Sequence, residues 1–210
     1  MLITTLYGVT QNKMRKHSSL SNLQPPAELL TLLEKMNDYL PEINSVRIAE
    51  GIENLSSYSL ASTNVDELIM PSTMKKIESN ALVGVASDVK FNDGLETLGR
   101  ISIITDNIIE IPNSVTKFLG TSAFIPMTIK LPKNNTYTSL GSYVFEGTSN
   151  LTVIIPDTIT EITHYAFANA KNNTLNFECS EENKPEGIGL DEAVSKGFTI
   201  NYNYEYDFGE

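Results

Sequence analysis

Tryptophan is absent from the 210 residues, cysteine occurs once and histidine twice. The single thiol, Cys179, can close no internal disulfide. Without Cys or His neighbours at ligand spacing it reads as a small buried apolar residue rather than a nucleophile. No apolar run approaches membrane-spanning length, so membrane insertion is not expected. The first residues, MLITTLYGVTQNK, have no charged segment before their apolar stretch and interrupt it with Thr4, Thr5 and Gly8. That makes a poor secretory signal and favours a cytoplasmic or particle-associated protein over a classically secreted one. Also missing are a glycine-rich phosphate loop, H-E-x-x-H, paired CxxC and a nucleophile elbow, so neither a cofactor nor a metal is expected.

Acidic residues are lacking from residues 1 to 24, which hold Lys13, Arg15, Lys16 and His17 and carry +3. The rest of the chain holds 12 basic and 26 acidic residues, or −14. The asymmetry suggests an extended arm that meets its own partner through Lys13, Arg15 and Lys16; a frayed terminus is the alternative. A body this acidic repels phosphates, which argues against a nucleic-acid partner.

What the sequence has in quantity is repetition. Small-plus-apolar pairs recur as Ser59-Leu60, Ala81-Leu82, Ser102-Ile103, Ala123-Phe124, Val144-Phe145 and Ala166-Phe167, with spacings of 22, 21, 21, 21 and 22 residues between their second members. Four residues before each pair stands Leu55, Ile77, Leu98, Leu119, Leu140 or Ile162, and before that Ile52, Met74, Leu95, Val115, Tyr137 or Ile159. Each unit opens on an apolar alternation, such as VRI at 46–48 or VII at 153–155. Pro71, Pro112, Pro132 and Pro156 follow it at the first turn, where Glu50-Gly51 and Asp93-Gly94 serve in units one and three. A unit of this length cannot bury its own apolar face. The pattern therefore predicts a β-rich solenoid of short strands stacked in parallel, with Leu60, Leu82, Ile103, Phe124, Phe145 and Phe167 in a continuous internal ladder.

The stretches IEIPNSVTKFLGTSAF (109–124) and VIIPDTITEITHYAFANA (153–170) resemble BspA-type leucine-rich repeats, whose consensus runs I-P-x-S-V-T-x-I-G-x-x-A-F. The resemblance is specific in units four and six, good in two and five, eroded in one and three, and covers residues 43–174. It implies a non-enzymatic interaction or adhesion module.

Flanking segments complete the expected layout. Residues 25–42, PPAELLTLLEKMNDYLPE, read as an amphipathic helix that caps the solenoid, with oligomerisation the weaker reading. Residues 175–210 form a C-terminal cap: one more rung, a polar loop with a short helix, and a strand from 198 to 208 in which aromatics alternate with polar residues. This strand either closes the solenoid or offers Tyr202, Tyr204 and Tyr206 to a partner.

A catalytic triad would have to centre on His164, yet other units fill its slot with Ser79, Thr121 or Ser142, as expected of a solvent-facing connection. Glu50, Glu53, Asp93, Glu96, Asp157 and Glu161 recur along the rungs without a calcium-loop spacing. The leading expectation is a module that presents a rigid surface to a protein or cell-surface partner. The second is a structural component of a larger assembly, such as a phage head or tail protein, anchored through the arm. An enzyme built on Cys179, His164 and the loop 180–195 ranks third.

Overall fold

The computed structural model describes residues 45–121 and 126–206. The chain divides into two units, Met1–Ile43 and Asn44–Glu210, and the described residues belong to the second. Lys13, Arg15, Lys16, the expected capping helix of 25–42, Phe124 and residues 207–210 lie outside the described residues.

Turns one to three contribute β1 (Ser45–Arg47), β2 (Asn54–Leu55), β3 (Asn64–Ile69), β4 (Lys76–Ile77), β5 (Val83–Lys90), β6 (Thr97–Leu98) and β7 (Ser102–Ile104). Turns four to seven contribute β8 (Ile108–Glu110), β9 (Lys117–Phe118), β10 (Met127–Lys130), β11 (Ser139–Leu140), β12 (Leu151–Ile155), β13 (Glu161–Ile162) and β14 (Thr174–Phe177), and β15 (Thr199–Asn201) follows. All the strand pairings are parallel. The fold is a parallel β-solenoid of about seven turns with one short α-helix, α1 (Ile188–Ser195), among the described residues.

Period-two alternation decides which side chains enter the core. Leu68, Ile109, Ile129, Val153 and Leu175 point inward from the long column of strands, and Leu55, Ile77, Leu98, Leu140 and Ile162 from the short column. Each such burial contributes about 1.5–3 kcal/mol, and stacking the turns makes the contributions continuous. Leu82, Ile103, Phe145 and Phe167 are buried, whereas Leu60 is half-buried at the edge of the core. Phe145 stacks on Phe167 at 5.4 Å, and Phe198 meets Phe167 edge-on at 5.5 Å.

Polar side chains stitch one turn to the next. Ser72 donates from its N–H and Oγ to Glu50, and Ser139 Oγ donates to Glu161. Lys75 pairs with Glu96, and Lys133 bridges Asp157 and Glu178 at 2.9 Å each. The recurring acids are thus interleaved with hydroxyls and lysines, and among the described residues no group of His, Cys, Asp and Glu converges as a metal site. Inside the core, buried Asn173 accepts from Leu151 N–H and donates to Thr148 Oγ1, satisfying backbone that would otherwise be orphaned.

The stack is interrupted twice. The long column splits into sheets β1-β3-β5-β7 and β8-β10-β12-β14-β15, and the short column into β2-β4-β6-β9 and β11-β13. At the first break the Asp88 carboxylate takes the place of ladder bonds, accepting from Thr105 Oγ1 at 2.5 Å and from Asn107 Nδ2. At the second, Arg100 reaches across, donating from Nη1 to Thr121 O and from Nη2 to Tyr143 O at 2.6 Å.

Two assignments change beside this second break. Phe118, not Leu119, pairs with Leu98 and enters the core, while Leu119 is 41% exposed. Val115 to Phe118 repeats the three-residue interval of Leu95 to Leu98 and Ile159 to Ile162, so the short strand keeps the common frame, and buried Gly120 follows it at φ +101°, close against Val144. Ile52, also assigned inward, is exposed on the first described turn, where it has a described neighbour on one side only.

The C-terminal end differs as well. Within the predicted strand from 198 to 208 the described residues form β15 alone, because Asn203 adopts φ +54° and turns the backbone out of the sheet. Tyr202 stacks on Phe177 at 5.3 Å, Tyr204 N–H donates to Phe177 O, and Lys130 Nζ sits 5.5 Å from the centre of the Tyr206 ring. Lys130, Ile154, Asn176 and Asn201 form one outward row across β10, β12, β14 and β15. The segment from Asn201 to Tyr206 follows this row backwards, consistent with the burial of outward-facing Ile154.

Candidate functional site

The short-strand corner carries left-handed backbone in four of the turns. Three residues after Leu55, Ile77, Leu140 and Ile162 the chain enters the left-handed region, at Tyr58 (φ +63°), Asn80 (+65°), Tyr143 (+66°) and Tyr165 (+63°). Asn tolerates this conformation, but for an aromatic side chain it is strained by about 1–3 kcal/mol. Cross-turn hydrogen bonds hold it: Tyr58 N–H donates to Asn80 O, Asn80 N–H to Arg100 O, and Tyr143 N–H to Tyr165 O.

The rings these corners project are solvent-exposed, at 64% for Tyr58, 45% for Tyr143 and 46% for Tyr165. Tyr143 and Tyr165 lie parallel at 5.7 Å with an interplanar angle of 9°, and the His164 ring stacks on Tyr165 at 3.6 Å. Helix α1 fixes the end of this stripe. Glu192 accepts from Tyr165 N–H at 3.0 Å through Oε2 and lies 2.9 Å from His164 Nε2 through Oε1. The helix is drawn close because Gly189 has no side chain, and a Cβ there would fall 2.2 Å from Thr163 O. Lys196 Nζ ties the far side of the helix to Phe167 O.

This arrangement presents a stacked and exposed aromatic surface. The buried polar residues include Ser87, Thr121, Thr148, Asn173 and Asn176, and the hydroxyl of buried Tyr137 is the titratable group among the described core side chains. One surface depression of about 410 Å³ lies beside Arg47, Glu50 and Phe91. Cys179 is half-buried against the core, and burial raises its thiol above the ordinary value, which disfavours the thiolate.

A family model described as a BspA type leucine rich repeat region, in six copies, matches residues 9–129 and 100–185. The chain belongs to the BspA-type leucine-rich repeat family. No curated protein and no solved structure matches it. As a BspA-type repeat region it is of a kind that typically binds proteins and is generally non-catalytic. The match extends beyond residues 43–174 on both sides and takes in β14, which continues the long column as a seventh turn.

Of the aromatic residues expected at a partner surface, Tyr202 and Tyr206 are engaged with their own chain, and Tyr204 is half-exposed beside them. Among the described residues of this BspA-type repeat region the exposed tyrosines are Tyr58, Tyr143 and Tyr165. Their signal is present in the sequence as L-S-S-Y at 55–58, L-G-S-Y at 140–143 and I-T-H-Y at 162–165. It is masked there because a tyrosine beside a repeat position looks like one more core residue.

Proposed function

We propose that the protein is a non-enzymatic binding module and that its tyrosine corner is the surface that meets a protein or cell-surface partner. The observation that carries this reading is the pairing of a cost with an exposure: at Tyr58, Tyr143 and Tyr165 a bulky ring occupies strained backbone and still points to solvent. Asn80, at the equivalent corner of turn two, is what local energetics favour. Strain retained at exposed aromatics is expected where the rings contact another molecule, and tyrosine gives rigid contact area with a polar tip.

The test is Tyr143→Asn with Tyr165→Asn, copying the residue of turn two. Immobilised protein is used to capture partners from the native source, with Lys171→Ala as a variant away from the stripe. The expected result is a specific partner held by the parent and the Lys171→Ala variant and lost from the double variant, whose circular dichroism stays that of a folded chain. Retention of that partner by a folded double variant removes the corner from the binding surface.

A further inference from the structure

We propose that copies of this chain associate head to tail, with residues 1–24 of one copy docking along the free edge of β15 in the next. Strand β15 ends its sheet and pairs, among the described residues, with β14 alone. As far as Tyr206 the segment that follows leaves this edge open, because the turn at Asn203 directs it back towards Lys130 instead of along β15. An open edge of a parallel sheet presents unpaired N–H and C=O groups and is completed by one more extended segment.

The occupant is chosen by charge and composition. Glu181, Glu182 and Glu205 are exposed near this end and form no ion pair with a described residue. Residues 175–206 hold seven acidic and two basic side chains, a charge of −5. Residues 1–24 carry +3 with no acid at all, and their first ten residues include Ile3, Thr4, Thr5, Val9 and Thr10, the β-branched types that favour added strands. Arm and edge are different surfaces, so the contact is heterologous and propagates into a chain of subunits rather than closing as a two-fold dimer.

Sedimentation velocity of the full chain over a concentration series tests this. The mass is expected to rise above 23.2 kDa with concentration. The association is expected to weaken roughly tenfold or more between about 0.05 M and about 0.5 M salt. Both K13E/R15E/K16E and E181K/E182K/E205K are expected to stay monomeric alone, and mixing them restores association because each arm then meets an oppositely charged end. A parent that remains at 23.2 kDa at every concentration overturns the proposal. So does a mixture of the two folded variants that fails to associate.

Discussion

Gly120 provides a quantitative check on how the turns are packed. Its φ of +101° is close to the +90° of Gly51, so replacing either by Ala imposes a similar backbone strain of about 1–2 kcal/mol. The surroundings differ completely. A Cβ at Gly51 meets nothing within 4 Å, whereas at Gly120 it falls 1.8 Å from Val144 O and 2.5 Å from Val144 C. Relieving that overlap requires turns four and five to part by more than an ångström, which breaks the Thr121 N–H to Val144 O bond of 2.9 Å. The broken bond costs about 1 kcal/mol and the displaced packing about 1–3 more. Gly51→Ala is therefore expected to lose about 1–2 kcal/mol and Gly120→Ala about 3–6, or to leave the latter unable to fold. Urea denaturation followed by far-ultraviolet circular dichroism measures both, with about 2–4 °C of melting temperature per kcal/mol at this size. If the two variants agree within about 1 kcal/mol, the close approach at the second break in the stack is wrong.

Two further perturbations probe the polar content. The Tyr137 hydroxyl is buried without a hydrogen-bond partner, so Tyr137→Phe is expected to raise stability by about 1 kcal/mol, and a lowered melting temperature would show that the oxygen is satisfied. Glu50, Glu67 and Glu78 are held below their ordinary value of 4.5, chiefly by the Ser72 N–H, Lys90 and Lys76 respectively. Because the folded values are the depressed ones, this stabilisation is present above about pH 4.5 and is lost as pH falls through them. The urea midpoint should drop between about pH 6 and pH 3, and less steeply in E50Q/E67Q/E78Q; an unchanged slope in that variant refutes the assignment.

The repeat arithmetic located the strands because parallel stacking forces equivalent residues into register, as Leu55, Ile77 and Leu98 are. It failed at Lys117-Phe118-Leu119, where two adjacent apolar residues both suit the pattern: counting back four residues from the small-plus-apolar pair selects Leu119, whereas counting three on from Val115, as in the other units, selects Phe118. Strict alternation from Phe198 to Phe208 overstated the final strand, because alternation reports which face is apolar and is silent on an asparagine that reverses the backbone. The tyrosine corner was hidden for a different reason. Exposure and positive φ belong to the folded backbone, and a ring that is strained and solvent-facing has the same one-letter code as a ring that is buried, as Tyr137 is.

The contact of Tyr206 with Lys130 gives the molecule an order in time. Most bonds between turns join residues about one repeat apart, so a ribosome can release turns that dock on their predecessor as they emerge. Lys130 must wait for 76 further residues before its aromatic neighbour exists. A clasp formed so late is expected to contribute little to the speed of folding and most to the lifetime of the finished solenoid, since contacts absent from the transition state act on the unfolding rate.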